Sequence, residues 1–165
     1  MMEFLVSLEG SALATWIRES ASIWAYPTVL FLHTIGMATV VGVNAGIDLR
    51  ILGFAPELPL APMIRLFPVM WAAFAINALS GTALLIADAT TKLTNPVFYV
   101  KMVFIALALI NLWLVKTRVV RDPVMDKSPV STNAKILAVT SLIFWVGAIT
   151  AGRLLAYLGP VRGWQ

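Results

Sequence analysis

The chain carries a single histidine and no cysteine, so any chemistry that needs an imidazole must use His33. His33 lies near the middle of SIWAYPTVLFLHTIGMATVVGVNAG, residues 22–46, and no formally charged residue follows it until Asp48. At ~100° per helical residue, Tyr26, His33 and Asn44 fall within about 20° of one face, with Met37 close by and Asp48 beyond. An imidazole and a thioether at i and i+4 suit Cu(I), with Met70 or Met102 as a third ligand. An imidazole deep in an apolar helix can equally be an axial ligand of haem b. Counting inward at ~1.5 Å per residue, Asn77 of the next apolar stretch reaches the depth of His33. Lys101 and Arg153 lie nearer the surface, where they would receive propionates, and Gly36 and Gly81 would admit a flat ring. Each of these residues also has a plainer role. His33 can be a neutral core imidazole bonded to Asn77, and Asn77 and Asn111 can be interhelical glue. Met37 and Met70 can fill gaps, Lys101 and Arg153 can snorkel, and Asp88 can pair with either of them.

Catalysis by the polypeptide itself finds little support. There is no second histidine, no thiol, no carboxylate pair at one depth and no glycine-rich phosphate loop after a strand. The lack of cysteine also removes disulfides, thiolate metal sites and iron–sulfur clusters. A non-enzyme is the reading unless a bound redox cofactor is counted. No basic stripe marks a nucleic-acid partner.

These side chains must be positioned by lipid-facing helices. With 60% hydrophobic and 12% charged residues and a mean hydropathy of +0.89, the chain exceeds what a soluble domain of 165 residues can cover. About 20 apolar residues cross a bilayer. The expected fold is an all-α integral membrane bundle, a single domain of four transmembrane helices at about 22–46, 63–88, 96–119 and 134–158. A short amphipathic interfacial helix at about 4–18 precedes them, its apolar line running through Leu5, Leu8, Ala12 and Trp16. Pro56, Pro59 and Pro62 predict an extended connection after the first span, and Pro68 falls in the opening turns of the second. Asn95-Pro96 predicts a capped start for the third span. Asp48 and Arg50 are expected to form a polar cap on the first.

Four spans place both termini on one side. The two opposite loops carry Arg50, Arg65, Lys116, Arg118, Arg121, Lys127 and Lys135, against Arg18, Lys92, Lys101, Arg153 and Arg162 on the terminal side. The excess predicts cytoplasmic loops with both termini outside. Trp16, Trp24, Tyr26, Tyr99, Tyr157 and Trp164 form an aromatic belt on the terminal side. Gly42 and Gly46, spaced as small-xxx-small, offer a surface for a second copy of the chain or a larger membrane complex.

The runs HTIGMATVVGVNAGIDLRILG and FPVMWAAFAINALSGTALLIADATTKLTNPVFYVKM resemble a family of small four-span bacterial inner-membrane proteins without an assigned function. The resemblance is carried by His33 with Gly36, Asp48 through Gly53, Ser80-Gly81 and Asn95 to Lys101, and covers about two thirds of the chain, fading after Lys116. More distantly, the architecture is similar to membrane b-type cytochromes and to the copper resistance protein D group. The resemblance implies a bundle able to hold haem or copper. Membrane cytochromes mostly use histidine pairs, so a single histidine implies a five-coordinate haem, a methionine, or a ligand from a second protomer. A copper-handling protein and a structural or assembly subunit are the alternatives.

Overall fold

The computed structural model describes residues 2–118 and 130–157, and among them it is helical with no strand. The N-terminal segment forms two short helices, α1 (Met2–Glu9) and α2 (Ala12–Glu19), where the sequence predicted one. The break falls at Gly10-Ser11, because the Ser11 side chain accepts from the Ala14 N–H at 3.3 Å and starts a new helix. That break also resets the apolar face. Leu5, Ala14 and Ile17 are buried, whereas Trp16 is exposed.

Four long apolar helices follow, each sufficient in length and hydropathy to cross a membrane: α3 (Tyr26–Leu52), α4 (Phe67–Ala87), α6 (Pro96–Arg118) and α7 (Thr132–Tyr157). A five-residue helix, α5 (Ala89–Leu93), bridges α4 and α6 in the interval between the second and third expected spans. Helix α3 runs past its expected end to Leu52, which brings Asp48 and Arg50 inside it. It stops there because Gly53 adopts φ 101°, and the Gly53 and Phe54 N–H groups close onto the carbonyls of Arg50 and Leu49. The proline-rich connection ends in a 3₁₀ turn, Ala61–Leu66, before Pro68 opens α4. Asn95 caps α6 as predicted, its Oδ1 accepting the Val97 N–H at 3.0 Å.

Packing runs α4–α3–α7–α6, and each adjacent pair is antiparallel. Helices α4 and α6 do not pack on each other to a comparable extent. Large apolar side chains such as Leu79, Trp113 and Val146 are well exposed on the outside, as a lipid solvent requires. The core is densest in the half near the α3–α4 connection, around Val40, Ile47, Met70, Leu112 and Trp145. We call that half the loop end and the other the terminal end.

Helices α1 and α2 dock on the terminal ends of α5 and α4. Arg18 donates to the Ala87 carbonyl and the Glu9 carbonyl, both at 3.0 Å. The Glu9 carboxylate accepts the Thr90 N–H and hydroxyl at 2.7 Å each. Burial pushes the Glu9 carboxyl upward, but the two Thr90 hydrogen bonds and the Arg18 charge together hold it below the usual glutamate range. Its anchoring contribution is therefore complete above the ordinary carboxylate range and is lost as pH falls through the depressed value.

Candidate functional site

His33 and Asn77 hold each other across the α3–α4 interface, as their matched depth predicted. The His33 Nδ1 lies 3.0 Å from the Asn77 backbone carbonyl, and the Asn77 Nδ2 donates to the His33 backbone carbonyl at 2.7 Å. A helical carbonyl has a second lone pair beyond its i+4 bond, so neither helix surrenders a backbone bond. Because that carbonyl can only accept, Nδ1 carries the proton and Nε2 is left as the lone-pair atom. The 3.3 Å approach of Asn77 Nδ2 to Nδ1 is then donor against donor, and Ser80 Oγ, at 3.5 Å, spends its proton on the Ile76 carbonyl at 2.6 Å.

Two glycines make room for this clasp. A Cβ at Gly36 would stand 2.8 Å from the Ala73 carbonyl oxygen and 3.0 Å from the Asn77 nitrogen. One at Gly81 would stand 2.9 Å from the His33 Cε1. Gly42 and Gly46, in contrast, have nothing of the described chain within 4 Å and face outward.

His33 separates two spaces. On the loop side a cavity of about 30 Å³ is lined by His33, Met37, Phe74, Asn77, Lys101 and Trp145. On the terminal side a cleft of about 180 Å³ is walled by α4 residues Gly81 and Leu84 and by α6 residues Phe98 and Lys101, with His33 at its floor and Lys92 at its edge. Lys92 is committed within the protein, donating to the Leu84 carbonyl at 2.9 Å and standing 3.7 Å from Asp88. Lys101, half-buried beside Gly152, has neither a hydrogen bond nor a carboxylate partner among the described residues. Asp88 thus pairs with Lys92, and not with Lys101 or Arg153.

The remaining residues disperse. Arg153 is exposed and lines neither space. Met70 is fully buried in the loop-end core, and Met102 is 47% exposed. A copper site would therefore rest on His33 and Met37 with the Lys101 ammonium in the same cavity, which opposes a cation. No group of three His, Cys, Asp or Glu stands together among the described residues. The His33 tautomer is the one an axial ligand requires, and the spaces on the two sides of the ring are about 30 and about 180 Å³.

A second polar group lies at the loop end. Asn44 Nδ2 donates to Asp48 Oδ2 at 2.6 Å and to Ser141 Oγ at 2.7 Å, with all three residues buried between α3 and α7. The expected Asp48–Arg50 cap does not form, since Arg50 turns outward and donates to the Leu58 carbonyl. Ser141 was missed by sequence reasoning. Its signal was the stripe Ala134, Ala138, Ser141, Trp145, Ala148, Ala151 of small residues and one tryptophan, which marks the buried face of α7. Asn111 is glue as read, donating to Thr140 Oγ1 at 2.7 Å. No family model, curated protein or solved structure matches this chain.

Proposed function

We propose that this is a membrane-embedded binding protein that takes an anionic amphiphile, a carboxylate or phosphate head on an apolar body, into the terminal-end cleft. The observation that carries this reading is Lys101, an ammonium half-buried among helices with no counter-charge from the described chain. Such a charge is expensive in a bilayer unless paired. The cleft supplies Lys101 for the charge of a head group, with His33 at its floor and Lys92 at its edge. Leu84, Leu85, Phe98 and Leu155 line the rest, and the loose seam between α4 and α6 faces the bilayer, from which a chain-bearing ligand would come.

The basic excess at the loop end supports a cytoplasmic loop end, with the cleft on the periplasmic side of a bacterial inner membrane. Cysteines introduced at Ala21 and Asn133 should label from opposite sides, Ala21→Cys from the periplasm. Labelling of Ala21→Cys from the cytoplasm would reverse the orientation.

The function is tested by thermal-shift titration of the protein in maltoside micelles with laurate, dodecyl phosphate and dodecanol. The two anions should raise the Tm and the alcohol should not. Lys101→Met should weaken both anions by about tenfold or more, the worth of one charge-assisted hydrogen bond, and Arg153→Met should leave them unchanged. Equal shifts with dodecanol, or full affinity in Lys101→Met, would sink the proposal. A visible spectrum of the same preparation serves the other reading, since a stoichiometric Soret band lost in His33→Ala would put haem b at Nε2 instead.

A further inference from the structure

We infer that Asp48, Asn44 and Ser141 form a binding site for a small monovalent cation in the loop-end half of the bundle, an alkali-metal ion or a proton. Asp48 is 1% exposed and its carboxylate is hydrogen-bonded by the Asn44 amide and the fully buried Ser141 hydroxyl, which also accepts from the same amide. A carboxylate so enclosed in a lipid-embedded bundle requires a positive partner, because two neutral donors do not offset its desolvation.

The described protein supplies no such partner. Arg50, two residues on, is bound to the Leu58 carbonyl, and Lys116 stands over the Phe67 ring at 5.4 Å. Lys135 of α7 and Arg65 are exposed, and α4 carries no titratable residue. His33 and Tyr26 of α3 and Arg153 and Tyr157 of α7 belong to the other half. The chemistry of the group is oxygen-rich. It holds two carboxylate oxygens, one hydroxyl and one amide whose oxygen and nitrogen are interchangeable by a 180° turn. In the arrangement seen, the amide nitrogen bridges the two partners, which suits a protonated or cation-free group. Turned over, Asn44 presents Oδ1 to the same point, and three oxygen-bearing side chains converge there as a hard cation demands. The site is separate from the Lys101 cleft, lying eleven residues or more along α3 from His33.

The full chain in micelles is melted at constant ionic strength in sodium chloride or choline chloride, and in choline chloride across pH 5 to 8. Wild type should gain roughly 3 °C or more in one arm, from sodium at fixed pH or from lowered pH without sodium, and the responding arm names the occupant. Asp48→Asn keeps the shape and the Asn44 contact and should lose that response. Ser141→Ala, which leaves the charge in place, should shift a sodium midpoint several-fold and leave a proton midpoint nearly unmoved. A wild-type Tm indifferent to both ions and pH, or a response retained in Asp48→Asn, overturns the site. If Asp48→Asn fails to accumulate, the Ser141→Ala midpoint and the wild-type melts still decide.

Discussion

Gly36→Ala will destabilise the protein more than alanine at any other helix glycine, by on the order of 2 kcal/mol, and will release His33 from Asn77. The added methyl meets backbone, at 2.8 Å from the Ala73 carbonyl oxygen and 3.0 Å from the Asn77 nitrogen, so α3 and α4 must separate. At Gly147 the intruding atoms are the Phe104 ring at 2.7 Å, and at Gly81 the His33 ring at 2.9 Å. Both rings can turn away, at the price of a rotamer, so those substitutions are milder in stability. Gly81→Ala should nonetheless disturb the imidazole as much as Gly36→Ala does. Gly42→Ala and Gly46→Ala meet nothing and should be neutral or slightly stabilising through better helix propensity. Thermal unfolding in micelles across the five variants gives the order. A Gly36→Ala protein as stable as Gly42→Ala would mean that α3 and α4 are not in contact at this point.

That ranking also shows what sequence could and could not tell. The four spans and the Asn95-Pro96 start were legible because lipid as solvent makes composition decisive and because caps act locally. The meeting of His33 with Asn77 was legible from depth alone, since antiparallel helices of equal rise bring matched counts together. Which glycines sit at interfaces was not. Gly42 and Gly46 have the spacing of a contact motif but face outward, while Gly36 of the same helix and Gly81 of α4 carry the packing. Spacing gives a stripe, and only the rotation of each helix about its axis decides what the stripe meets. The same rotation separates Lys101 from Arg153. Both were placed on one shoulder by depth, yet one lines the cleft and the other is exposed.

Asp48 is the sharper case, because its surroundings hang on where α3 stops. Ending the helix near Gly46 would have put the carboxylate in the interface beside Arg50. The left-handed Gly53 carries the helix on to Leu52, and Asp48 turns inward against α7. Asn44→Leu then removes the amide that serves both Asp48 and Ser141, and it should destabilise by about 2–3 kcal/mol, the worth of a hydrogen bond to a charged group left unmade. Ser141 can recover by bonding back to its own helix. Asp48 keeps only the Ser141 hydroxyl as a donor. Asn44→Leu/Asp48→Leu should therefore be more stable than Asn44→Leu alone, because replacing both partners by apolar groups removes the stranded carboxylate. Chemical unfolding of the two single variants and the double variant gives the coupling. An Asn44→Leu cost near the ~0.6 kcal/mol average of membrane hydrogen bonds, with no rescue in the double variant, would reduce the cluster to ordinary interhelical glue.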